Sequence, residues 1–120
     1  MDWIGEWANQ YGSILRITDD SSGSISGTFR TALADSGFFG QELAVTGIHH
    51  GNCINFAFAG KTRAGDAICS FTGLLRGGVI ETLWLVLADG RKEGDAVVER
   101  NWAHAASTNH DSFTRRRAHA

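Results

Sequence analysis

Short apolar runs alternate with polar neighbours along almost the whole chain, and clusters of turn-forming residues punctuate them. The runs read SILRIT, ISGTFRTA, ELAVTGI, CINFAFA, AICSFTGLL and VIETLWLVLA, and between them lie DDSSGS, DSG, HHGN, GKTRAGD, RGG and DGRKEGD. Strands this short, with a turn roughly every ten residues, predict an antiparallel sandwich or barrel. Glycine occurs 15 times and proline not at all, so the turns must rest on Gly, Asn and Asp. Only DAVVERNWAHAAS, residues 95–107, carries a weak helical pattern. With no repeat, low-complexity tract or linker, the expectation is one domain over residues 1–120. Strands occupy about 5–115, and the basic RRRAHA, 115–120, reads as a solvated tail.

Two features go beyond fold class. In TLWLVLA, residues Leu83, Leu85 and Leu87 share one face and Trp84 and Val86 the other, so this strand is apolar on both sides. A small barrel buries only one face; the second face predicts a cover, a second copy of the chain. Aromatic residues also stand at inward parity in several strands: Trp7, Phe29, Phe58, Phe71 and Trp84. Small polar side chains are interleaved with them, which a plain core avoids because an unpaired buried polar atom costs about 1–3 kcal/mol. Aromatic walls over a polar floor describe a ligand pocket.

At 120 residues the chain can bury roughly two thirds of its extended surface. A formal charge of −2 argues against nucleic-acid or membrane-surface partners, and no apolar run approaches the roughly 20 residues of a membrane span. The opening MDWIGEW lacks a basic segment followed by an apolar one, so the expectation is a cytosolic chain or one whose signal peptide has been removed. If Phe58 and Phe71 face inward, parity puts Cys69 inward and Cys53 outward. A bridge between opposite sheet faces cannot meet a Cβ spacing of about 3.5–4.5 Å, and two free thiols are expected.

Two catalytic or metal readings are weak. His49, His50 and Cys53 have a spacing that suits zinc, but they fall at a glycine turn with no fourth ligand in sequence. Ser107, His110 and Asp111 supply hydrolase residue types, yet adjacent strand residues point to opposite faces and there is no nucleophile elbow.

Five segments in order resemble the avidin and streptavidin family: GEWANQYGS its first hairpin, SGTFRTA its third strand, LAVTGI its fourth, ETLWLV its seventh and HDSFTR its last. The resemblance spans roughly Gly5 to Arg115. It implies an all-β fold, an eight-stranded antiparallel up-and-down barrel, assembled as a dimer or tetramer, that binds biotin without catalysis, cofactor or metal. It also implies a secreted or periplasmic location. In this resemblance Asn9 and Ser13 donate to the ureido oxygen of biotin, while Thr31 and Asp111 accept from its two N–H groups. Trp84, Phe58 and Phe71 form the walls, with Tyr11, Leu33 and Val86 around them, and Trp102 caps the pocket of a neighbouring subunit.

The chain departs from the family pattern in several places. Phe29 replaces a tyrosine donor, Phe58 a tryptophan, Ala67 a serine and Cys69 a threonine, and the interval from Trp102 to Asp111 is one residue longer. Weaker binding or a shifted ligand preference is the expectation. A lipocalin-like carrier of apolar molecules shares the architecture, but would leave the polar floor unpaired. A structural or carbohydrate-binding sandwich would expose its aromatics.

Overall fold

The computed structural model describes residues 2–62 and 65–116 of the chain. The alternation of apolar and polar positions becomes β1 (Gly5–Asn9), β2 (Ile14–Asp19), β3 (Ser24–Arg30), β4 (Leu43–His50), β5 (Cys53–Thr62), β6 (Gly65–Arg76) and β7 (Val79–Ala88). A two-stranded hairpin, β8 (Gly90–Glu93) and β9 (Ala96–Glu99), and a one-turn helix α1 (Trp102–Ala105) precede β10 (Ala106–Arg115).

Eight of these strands close into a barrel in the order β1-β10-β7-β6-β5-β4-β3-β2, with every neighbouring pair antiparallel. Of the sandwich or barrel that the pattern allows it is the barrel, with the up-and-down order that the resemblance implies, and closure removes the exposed sheet edges. The seam is short: Trp7 pairs with Arg115, Ala8 with Thr114 and Asn9 with Phe113.

The inner face follows the predicted parity. Trp7, Phe29, Phe58 and Phe71 are buried and Trp84 is half-buried. Inward glycines let the strands coil tightly. A Cβ on Gly27 would lie 1.8 Å from the Arg16 carbonyl oxygen, and one on Gly47 1.8 Å from that of Asn55, so neither position admits a side chain without moving backbone. Cys69 is buried and Cys53 exposed, both as free thiols.

The base of the barrel is plugged by a residue ahead of the first strand. Trp3 is fully buried; its backbone N–H donates to Asp20 Oδ2 at 2.9 Å, and its carbonyl accepts the Trp7 indole N–H at 2.9 Å. Arg115 lies 4.3 Å over the Trp7 ring and donates to the carbonyls of Ile4 and Asp2. The Arg116 backbone N–H donates to the Glu6 carbonyl at 2.8 Å. The first two arginines of RRRAHA, though exposed, are thus tied to the N-terminal segment through the carbonyls of Asp2, Ile4 and Glu6 and the Trp7 ring face; residues 117–120 lie outside the described residues.

The helical reading of residues 95–107 gives way to strand β9, four residues of helix and the start of β10. Ala96–Glu99 pairs with Gly90–Glu93, inside what reads as a turn in sequence. The Asn101 side chain caps the helix by accepting from Ala103 N–H at 3.1 Å, and Arg100 pins the hairpin by donating from Nε to the Gly90 carbonyl at 2.7 Å. Such a short segment takes its conformation from these local bonds, not from periodicity.

Candidate functional site

The GEWANQYGS hairpin builds the polar floor. After β1 the chain reverses through a turn in which the Asn9 N–H donates to the Ser13 carbonyl and the Gly12 N–H to the Asn9 carbonyl, both at 3.0 Å. The Asn9 carboxamide oxygen accepts from the backbone N–H groups of Tyr11 (3.0 Å) and Ser13 (2.9 Å). Turn formation thus consumes the oxygen and leaves the NH₂. One of its hydrogens goes to Asp111 Oδ2 at 3.1 Å; the second has no protein acceptor among the described residues.

Asp111 sits on the inner face of β10, buried, and is held from two sides. Gln10 Nε2 donates to Oδ1 at 3.1 Å, while Gln10 Oε1 accepts from the Ser112 N–H at 3.1 Å. Thr82 on β7 donates to the Asp111 carbonyl at 2.9 Å. A carboxylate offers about four lone-pair directions, so each oxygen keeps acceptor capacity after these bonds.

Ser13 and Thr31 complete the floor, also buried. Ser13 Oγ accepts the Ala32 N–H at 2.8 Å, Thr31 Oγ1 accepts the Leu33 N–H at 3.2 Å, and the two hydroxyls lie 3.4 Å apart. Either can donate to the other. When Thr31 donates, both acceptor sites of Ser13 are filled and the Ser13 proton is free to point into the cavity, while Thr31 retains one lone pair. The floor then presents two donors, Ser13 O–H and Asn9 N–H, beside two acceptors, Thr31 Oγ1 and the Asp111 carboxylate.

Above it stands an aromatic wall. Phe29 and Phe58 stack with centroids 4.7 Å apart, Phe71 lies 5.9 Å from Phe29, and Trp84, Val86 and Cys69 continue the lining. The cavity encloses about 530 Å³, in the range of small-molecule sites. Burial, and secondarily the Asp111 charge, push the Cys69 thiol up to about 12. It is a neutral S–H near neutral pH, not a nucleophile.

Twelve of the positions expected from sequence converge on this one cavity: Asn9, Tyr11, Ser13, Phe29, Thr31, Leu33, Phe58, Cys69, Phe71, Trp84, Val86 and Asp111. Tyr11 and Leu33 stand exposed at the rim. Ala67 and Trp102 do not line it. They face a neighbouring surface cleft of about 650 Å³ with Ile68, Leu87, Ala88 and Arg100. Trp102, on α1, is 78% exposed. His49 donates from Nε2 to the Asp20 carbonyl near the base at 2.7 Å, and His110 pairs with Leu83 on the outer face, away from Asp111.

Four lining residues escape the sequence reading: Asp35, Ser36, Phe38 and Ser107. Phe38 is the informative one. It comes from the β3–β4 loop, is buried, and meets Phe58 edge-on at 5.3 Å. The loop ADSGFFG carries two adjacent aromatics, Phe38 buried and Phe39 exposed, and nothing in the sequence distinguishes them. Gln10, too, is part of the site through Asp111, although it sits in the opening motif itself.

Comparison with solved structures places this barrel among avidin-like proteins. The bradavidin2–biotin complex superposes with a TM-score of 0.74 at 20% identity, covering 96% of this chain and 98% of that one. The rhizavidin–biotin complex gives 0.74 at 20%, covering 99% and 96%. Core-bradavidin gives 0.70 at 30%, covering 91% and 96%. No curated protein matches the chain in sequence. The Avidin family pattern itself matches residues 1–116, from the base plug to the clamped arginines. The closed eight-stranded barrel, the GEWANQYGS hairpin at its mouth and this match agree: the chain belongs to the Avidin family.

Proposed function

We propose that the cavity binds biotin non-covalently and performs no catalysis. The observation that carries this reading is the floor: two donors, Ser13 O–H and Asn9 N–H, beside two acceptors, Thr31 Oγ1 and Asp111. The ureido ring of biotin has the complementary set, one carbonyl oxygen and two N–H groups. A carbonyl placed at Ser13 selects the arrangement in which Thr31 donates to Ser13, which leaves Thr31 an acceptor for one ring N–H. Asp111, fixed by Asn9 and Gln10, accepts from the other. The thioether ring and aliphatic tail then lie against Phe29, Phe58, Phe71 and Trp84, each able to bury on the order of 150–250 Å². The biotin complexes of bradavidin2 and rhizavidin support the same reading. A lipocalin-like role gains nothing from this floor, since an apolar ligand would leave Asn9 and Asp111 without new partners.

Assembly into a dimer or tetramer belongs to the same proposal. Leu83, Leu85 and Leu87 are 70%, 41% and 37% exposed, and Ile68 beside Leu87 is 56% exposed. A second copy would cover this row, and the exposure of Trp102 at the adjoining cleft supports its reaching a neighbour. The family likeness supports a secreted or periplasmic location.

Titration with biotin, followed by tryptophan fluorescence and calorimetry, tests the function. Saturable binding that is lost in Asn9→Ala/Asp111→Ala is expected; heat and fluorescence unchanged by biotin at millimolar concentration would refute it.

A further inference from the structure

The charge of the cavity bears on which form of the ligand fits it. Among the described residues that line it, only Asp35 and Asp111 are charged, both negative. Asp111 is held by the neutral donors of Asn9 and Gln10, so no cation offsets it. Asp35 is exposed on the β3–β4 loop and makes no ion pair among the described residues. The bases Lys61 and Arg100 line neighbouring grooves instead.

The polar floor is closed: Asn9, Ser13, Thr31 and Asp111 are each 9% exposed or less. A ligand whose ureido head rests there must send its tail outward, past Phe38 and the rim of Leu33 and Asp35. Free biotin ends in a carboxylate. That group would approach Asp35 as a like charge in a cavity already negative. An amide at the same position carries no charge, and its N–H is a donor that the Asp35 carboxylate can accept.

We propose that the site prefers biotin with its carboxyl blocked as an amide, the form it has when attached to a lysine side chain, over free biotin. The inference rests on the biotin reading above. Asp35 therefore acts on specificity at the mouth rather than on the ureido head. Because it is exposed, its effect is modest and screened by salt.

The test is competition of biotin and its primary amide, biotinamide, against fluorescent biotin, at about 20 mM and about 500 mM NaCl. In the wild type at low salt the amide should compete roughly two- to fivefold better, as a small charge repulsion predicts. The gap should shrink at high salt and in Asp35→Asn, with the gain appearing in the affinity for free biotin. Equal or tighter binding of the acid, or a gap that Asp35→Asn leaves unchanged, overturns this inference and leaves the biotin reading standing. If neither compound displaces the probe, both fall together.

Discussion

Asn9 and Asp111, 102 residues apart in the chain, meet at 3.1 Å between amide nitrogen and carboxylate oxygen. The contact joins β1 to β10 beside the seam where the barrel closes, so one bond serves both the fold and the floor. Removing the carboxylate should therefore do two things. Asp111→Ala is expected to weaken biotin binding ten- to a hundredfold, the scale of a hydrogen bond to a charged acceptor. It should also lower the melting temperature, because Asn9 and Gln10 lose their shared partner. Competition binding and thermal unfolding of the same variant check both.

Phe38 should act on rates. Its ring lines the cavity from the β3–β4 loop and rests edge-on against Phe58, 5.3 Å away, so truncating it should widen the way in. Phe38→Ala is expected to speed both association and dissociation, the latter by tenfold or more, with little change in the barrel's circular dichroism. Stopped-flow mixing with fluorescent biotin separates the two rates. An unaltered association rate would show that the loop does not obstruct the mouth.

Leu85, 41% exposed at the middle of the apolar row on β7, tests assembly. At micromolar concentration light scattering should give a mass above that of one chain, and Leu85→Lys should move it to that of a monomer, since burying the lysine ammonium is costly. A wild-type monomer would leave the row without a cover.

Cys69 makes stability depend on alkaline pH. Its thiol is held up to about 12 in the folded barrel, above its ordinary value of 9.0. Above pH 9 the unfolded chain loses this proton while the folded chain keeps it, so the unfolded state binds fewer protons and stability falls as pH rises, until the folded thiol also ionises near 12. Between pH 8 and pH 10 the loss from this group should be about 1 kcal/mol. Denaturant unfolding of wild type and Cys69→Ala at both values isolates it: the difference between the two proteins should shrink at pH 10.

Much of this was legible in the sequence because strand periodicity is local. Parity alone placed Phe58, Phe71 and Cys69 inside and Cys53 outside, and the order of five short segments brought Asn9, Ser13, Thr31 and Asp111 to one floor. What escaped depends on contacts that no period encodes. Trp3 precedes the first strand, and only the closed base makes it a core residue and ties Arg115 and Arg116 to the N-terminal segment. Phe38 belongs to a loop, where neither alternation nor propensity says which side chain folds inward. The β8–β9 hairpin follows a glycine-rich, charged stretch whose apolar residues are too few to signal strands, and the bond from Arg100 to Gly90 settles its path. Trp102 reads in sequence as a cap on a neighbouring subunit's pocket; in the single chain it stands exposed at an outer cleft, and only a second copy can test that role.

The base plug has a practical consequence. Trp3 enters and Arg116 leaves at the end of the barrel opposite Asn9, because β1 runs from the plug to the mouth and β10 runs back. Anything joined through either end of the described chain, whether a carrier domain or a solid support, would hang from the closed pole and hold the cavity facing away from it. Phe38 and Asp35 would then stand on the side first met by an incoming ligand.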